Sequence, residues 1–205
     1  MPLLPMIGRR TLLAMAGVML MCAQARADCD GARAFVTSAG ERAVAILNAP
    51  GAAEADRIHG MTTLLFDVAD VPLIARLVLG RHWNAASDAQ RAAYLDAFKV
   101  YAVDSLAARF ANLDGGVKFT VQDRCTMVDQ RDSLLATDVT RPARPQPLRI
   151  DWRVRETAGS YRLIDVTIEG VSLVVTNRSE FDSVVARRGL DALIAQIRGK
   201  NEPQP

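Results

Sequence analysis

The spacing of apolar residues changes at Asp114-Gly115-Gly116, and that change limits the possible folds more than any other feature. Before it, apolar residues recur every three or four positions, as on one face of a helix; after it they alternate, as on one face of a strand, until two short closing helices. A helical first half followed by a strand-rich second half predicts an α+β fold. The expected arrangement is a mostly helical N-terminal half packed on a curved antiparallel sheet of four to five strands.

In the first half, residues 30–48 read as a helix that Pro50-Gly51 breaks. A second helix, about 52–65, carries Ile58, Met61 and Leu65 at helical spacing. Asp70 caps a third, with Pro72 at its second position, Gly80 as its stop and Leu73, Ile74, Leu77 and Val78 as its apolar stripe. Ser87 and Gln90 form a capping box at the head of the longest helix, about 87–112. Its Tyr94, Phe98, Tyr101, Ala102, Leu106 and Phe110 share one face.

In the second half, Val117, Phe119 and Val121 alternate with polar residues, and 133–140 forms another run. The clearest strand is Leu148 to Arg155: Leu148, Ile150, Trp152 and Val154 share one face, and Arg149, Asp151, Arg153 and Arg155 the other. Pro142, Pro145 and Pro147 predict a loop before it rather than sheet. After a turn at Gly159, residues 161–169 return, with Arg162, Ile164, Val166 and Ile168 on one side and Tyr161, Leu163, Asp165 and Thr167 on the other. Gly170 to Leu173 reads as a short apolar link into two closing helices, about 178–187 and 190–198.

Residues 1–27 read as an export signal: Arg9-Arg10, an apolar stretch from Thr11 to Met21, and a small-x-small site at Ala25-Arg26-Ala27. The apolar stretch is about 11 residues, short of the roughly 20 needed to span a bilayer. Arg9-Arg10-Thr11-Leu12-Leu13 fits a twin-arginine signal as well as an ordinary secretory one. Met21 before Cys22 argues against a lipid-anchored cysteine. Cleavage would leave residues 28–205 as a single domain of 178 residues, long enough for a real core. Of the 25 Lys and Arg, three lie in the signal with no acidic residue, so 22 remain against 23 Asp and Glu. That near-neutral balance argues against a nucleic-acid partner.

Cys29 and Cys125 are the two cysteines left after cleavage. In an oxidising compartment such a pair is expected to form a disulfide, tying the first helix to the middle of the sheet; the alternative is two free buried thiols. Closing so long a loop contributes about 4–5 kcal/mol in the chain-entropy account. With two distant cysteines and only His59 and His82, ligand spacing for a metal is missing, and no cofactor motif is present.

Other candidate groups have ordinary readings. The Trp152 face and the Phe98, Tyr101 and Phe110 face can pack as plain core or enclose a cavity, and periodicity does not separate the two. Arg149, Arg153 and Arg155 with Asp151 can meet a phosphate headgroup or form a solvated face with cross-strand pairs, the reading we favour. His82 beside Trp83 reads as a partner for a helix C-terminal dipole. Asp165 and Glu169 share a strand face but sit roughly 13 Å apart. That exceeds the about 5–9.5 Å of paired glycosidase carboxylates. There is no G-x-S-x-G, P-loop or G-x-G-x-x-G, so nothing positive points to an enzyme.

One set of residues does point somewhere. It includes Phe66-Asp67, Ile74-Ala75-Arg76, Leu79-Gly80-Arg81-His82-Trp83, Ser87, Gln90-Arg91 and Phe98. Asp151-Trp152-Arg153-Val154-Arg155 and Ile164-Asp165-Val166 through Glu169-Gly170-Val171-Ser172-Leu173 follow. Arg178-Ser179-Glu180-Phe181 and Gly189 to Ile194 complete it. In this order, over roughly residues 33–198, they resemble the MlaC (Ttg2, toluene-tolerance) family of periplasmic phospholipid carriers, and in part its hopanoid-associated HpnM branch. Tyr101-Ala102-Val103-Asp104-Ser105 departs from the family's tyrosine-rich segment, and the cysteine pair is no family hallmark.

The resemblance implies a carrier of diacyl phospholipid or hopanoid. Its implied partners are an inner-membrane Mla-type ABC transporter complex and an outer-membrane lipoprotein, with only transient membrane contact. A pocket between helices and sheet would be lined by Trp83, Phe98, Tyr101, Ile150, Trp152, Val154, Ile164, Val166, Ile168, Val171 and Leu173. An interaction module with a solid core and a lipid-modifying enzyme are the competing classes.

Overall fold

The computed structural model describes residues 11–110 and 115–199, with side chains from residue 29 onward except 109–114, 144 and 145. The expected export signal therefore lies outside the description, residues 1–10 altogether and the side chains through 28, as does the side chain of Phe110. The order is α1 (Thr11–Leu47), α2 (Glu54–Val68), α3 (Val71–Leu79), α4 (His82–Ala85), α5 (Asp88–Phe110), β1 (Lys118–Met127), β2 (Asp132–Arg141), β3 (Arg144–Thr157), β4 (Ser160–Ile168), β5 (Val171–Ser172), α6 (Leu173–Arg188) and α7 (Leu190–Gly199). The strands form one antiparallel meander in the order β1-β2-β3-β4-β5, so the fold is α+β as expected.

Local chemistry starts the helices. The Asp70 carboxylate accepts from the Leu73 amide at 3.0 Å to open α3. Ser87 and Gln90 cap each other before α5, the Ser87 amide donating to the Gln90 side chain at 3.1 Å and the Gln90 amide to the Ser87 hydroxyl at 3.2 Å. The helix expected from residue 178 begins at Leu173. Ser172 accepts from the Val175 amide at 3.0 Å, and Asp165 from the Val174 amide at 3.1 Å. Those caps, with burial of Val174, outweigh the weak helix propensity of Val174-Val175-Thr176.

Packing follows the apolar faces. Tyr94, Phe98 and Tyr101 of α5 meet Phe181 of α6, with the Tyr101 and Phe181 rings 5.4 Å apart at 65°. The Tyr94 hydroxyl donates to the Ala75 carbonyl at 2.9 Å; burial, then the neighbouring Tyr101, raises its pKa. Ala32 and Val36 of α1 pack on Leu135 and Val154 of the sheet.

Three expectations about the sheet are corrected. Cys29 and Cys125 are disulfide-bonded, but Cys125 lies on β1, which is an edge strand and not the middle of the sheet. The proline segment is not a loop: Arg141 pairs with Arg144, only Pro142-Ala143 make the turn, and β3 already contains Pro145 and Pro147. Pairing of β3 with β4 starts at Ile150, so before it β3 is an edge strand, the setting in which proline is tolerated. Finally, a bulge interrupts β4: Arg153 pairs with Asp165 and Val154 with Leu163, leaving Ile164 unpaired between them. Leu163, not Ile164, therefore shares a face with Val166 and Ile168.

The arginine row is a cross-strand ion-pair network. Arg153 and Arg155 both bind the fully buried Asp132 carboxylate at the head of β2, with contacts of 2.6 Å from each. Arg149 binds Asp151 at 3.0 Å. His82 does not serve a helix C-terminus; it opens α4 and its Nε2 lies 2.8 Å from Asp182 of α6, which also meets Arg81.

Candidate functional site

Between the helices and the inner face of β3 and β4 lies a cavity of about 280 Å³. Its wall comes from all of α1, α2, α3, α5 and the first turn of α6, and is apolar except for Ser105, Asp165, Asn177 and Tyr101. A second cavity of about 420 Å³ lies between α1 and the inner face of β1 to β4, with Arg141 at its margin. Ala43, Met61, Ile150, Trp152 and Ile168 border both. The two spaces therefore meet at the centre of the inner sheet face.

Strand pairing explains which sheet residues face inward. Leu135 pairs with Trp152, Thr137 with Ile150 and Trp152 with Val166, so these residues stack across three strands on one face. Seven of the eleven expected lining residues border the first cavity: Phe98, Tyr101, Ile150, Trp152, Val166, Ile168 and Leu173.

The other four are placed elsewhere. Trp83 sits on α4 between two guanidinium groups, Arg76 at 6.0 Å and Arg91 at 5.6 Å from its ring. Val154 packs under α1 with Ala32 and Val36. Ile164 is the buried bulge residue, and its expected place is taken by Leu163. Val171 points outward and is 56% exposed. The residues that sequence reasoning missed include Ala39, Ala43, Met61, Leu64 and Ile74 of α1 to α3, Ser105 and Leu106 of α5, and Phe119 of β1. Small residues at Ala39, Gly40 and Ala43 were the available signal, since a helix that packs on a sheet without large side chains leaves space beneath it.

Polar contacts hold the α6 end of the first cavity. The Tyr101 hydroxyl donates to Asn177 Oδ1 at 2.9 Å, and the Ser172 hydroxyl to Asp165 Oδ2 at 2.6 Å. Asp165 is the one carboxylate on the wall, and its oxygens are taken up by the Ser172 hydroxyl and the Val166 and Val174 amides, so the wall is suited to burying apolar matter. Among the described residues no group of three or more His, Cys, Asp or Glu is placed to hold a metal ion.

Comparison with known proteins agrees with this geometry. The family described as "MlaC protein" matches residues 37–199. The fold is similar to that of a phospholipid-binding protein from Ralstonia solanacearum, solved in complex with a phospholipid, at a TM-score of 0.71 and 21% identity, covering 82% of this chain and 96% of that one.

Proposed function

The chain belongs to the MlaC family, and from that premise we propose that it is a periplasmic carrier that buries the acyl chains of a phospholipid between its helices and its sheet. The observation that carries the reading is the apolar cavity at Trp152, which shares five lining residues with a second space under α1. A carrier is physically necessary for such a cargo. Two acyl chains of about 30 methylenes in all cost over about 20 kcal/mol to expose to water, at about 0.8 kcal/mol each. The Ralstonia solanacearum protein of similar fold, which holds a phospholipid, supports the same reading.

In this proposal residues 1–27 are removed on export, residues 28–205 act as one domain, and cargo passes between an inner-membrane Mla-type ABC transporter and an outer-membrane lipoprotein partner. The role is binding and transfer rather than catalysis. A hopanoid cargo is the second reading, favoured by the Asp151-Trp152-Arg153-Val154-Arg155 wording shared with the hopanoid-associated branch.

The test is to purify residues 28–205 without detergent and identify extracted lipid by mass spectrometry. Stoichiometric phospholipid is expected. A folded, lipid-free chain that also fails to take lipid from vesicles would replace the carrier by an interaction module.

A further inference from the structure

We propose that Trp152 is a specificity-determining residue: a fixed partition that admits cargo with two flexible apolar limbs and rejects a single rigid polycyclic one. This rests on the carrier reading above and narrows it.

The indole borders both cavities, and two braced contacts hold it there. Its Nε1 donates to the Thr137 hydroxyl at 2.8 Å, and that fully buried hydroxyl donates to the Ile150 carbonyl at 3.0 Å. Phe119 meets the indole edge-on, with ring centroids 6.1 Å apart at 74°. Phe119 is in turn seated against Gly40 of α1, where a Cβ would stand 2.1 Å from its ring. Swinging the indole aside would strand a donor and an acceptor in an apolar wall and also displace Phe119. The ring is therefore part of the scaffold, not a flap.

A fixed ring at the junction dictates what can fill both spaces. Acyl chains rotate about each bond and can run on either side of the indole. A fused-ring slab cannot bend round the indole, so it can enter only one of the two spaces and leaves in water whatever that space does not cover. A cavity of about 150 Å³ holds one benzene. On that scale chambers of about 280 and 420 Å³ hold about two to three rings each, fewer than the five of a pentacyclic triterpenoid. From the helices, Ala43 of α1 and Met61 of α2 border both cavities, a small residue and a flexible one, so the helix side of the junction is the more yielding one.

The experiment loads the purified chain from dioleoyl phosphatidylglycerol vesicles, with and without a pentacyclic triterpenoid alcohol, and counts bound lipid by mass spectrometry. The unmodified chain is expected to favour the diacyl lipid by about tenfold or more, Trp152→Phe to keep that preference, and Trp152→Ala to reduce it to about twofold. Equal loading by the unmodified chain, or an unchanged preference in Trp152→Ala, overturns the partition while leaving the carrier intact. An unmodified chain that takes up neither lipid overturns the carrier reading and the partition with it.

A second measurement does not depend on Trp152→Ala folding. In Trp83→Phe, which leaves Trp152 as the sole tryptophan, phosphatidylglycerol brominated on one acyl chain is bound. Bromine on either chain alone should quench Trp152 emission to a similar extent. Quenching by one chain only would overturn the proposal.

Discussion

Asp132 is wholly buried yet charged, and its neighbours explain how. Burial alone would push its pKa up, but hydrogen bonds from Arg155 and Arg153, with their charges, more than offset this and hold it below the ordinary carboxylate value. A depressed folded pKa means that the stabilisation is fully present above the unfolded value of about 3.9 and is lost as pH falls through the folded one. Asp132→Asn removes the charge while keeping the shape. We expect a loss of about 2–3 kcal/mol at pH 7 in urea unfolding, less than for a fully dry pair because both arginines are partly hydrated. The variant should also lose the acid-dependent part of its stability below about pH 4. An acid limb identical to that of the parent would show that Asp132 is not the titrating group. The arginine row was visible in the sequence as a charged strand face, but the carboxylate that organises it was not. It lies 21 and 23 residues before its partners, and only the β2–β3 pairing brings them together.

At the scale of elements, the disulfide joins α1 to β1 across 96 residues, and beside it Arg33 of α1 donates to the Gln122 and Asp123 carbonyls, each at 2.7 Å, where β1 departs from its register with β2. Cys125→Ser should cost about 4 kcal/mol, read as a lower midpoint in denaturant, because the open loop regains its chain entropy. A loss below about 1 kcal/mol would mean that the Arg33 contacts and the α1 core hold the helix without it. The helices were legible because their signals are local: Asp70, Ser87 and Gln90 each act within three residues of themselves. The sheet was legible in class but not in detail. The bulge at Ile164 is set by pairing with Arg153 and Val154, which alternation along one strand cannot encode, and it moved one expected lining residue off the cavity and brought Leu163 in. Likewise the run of prolines reads as loop until pairing with β4 is known to stop at Ile150 while pairing with β2 runs on to Arg144. The cavity itself was legible only as an apolar face, since periodicity fixes direction and not distance.

Across the whole molecule the cavity has one clamped wall and one latched wall. The α1 wall is fixed by a covalent bond, by Arg33 and by the close seating of Gly31 on Tyr161 and Gly40 on Phe119. The opposite wall, from Ile168 to Asn177, is thin: Ile168, Leu173 and Val174 border the cavity, while Val171 and Val175 of the same stretch are exposed. The turn within it has positive φ at both Glu169 (49°) and Gly170 (83°), the two-residue form that closes a tight hairpin. Besides the short β4–β5 pairing and the buried Val174, this wall is held by two polar latches, the Ser172 hydroxyl on Asp165 and the Tyr101 hydroxyl on Asn177. Cargo buried as deeply as the proposed function requires leaves slowly unless a wall moves, and the latched wall is the one that no covalent bond ties down. Ser172→Ala removes both the latch to Asp165 and the cap on α6. It should cost about 1 kcal/mol in stability and speed exchange of bound lipid with acceptor vesicles several-fold. A variant that loses the stability but exchanges at the parent rate would place the opening elsewhere, and α1 would have to be tested next by reducing the disulfide.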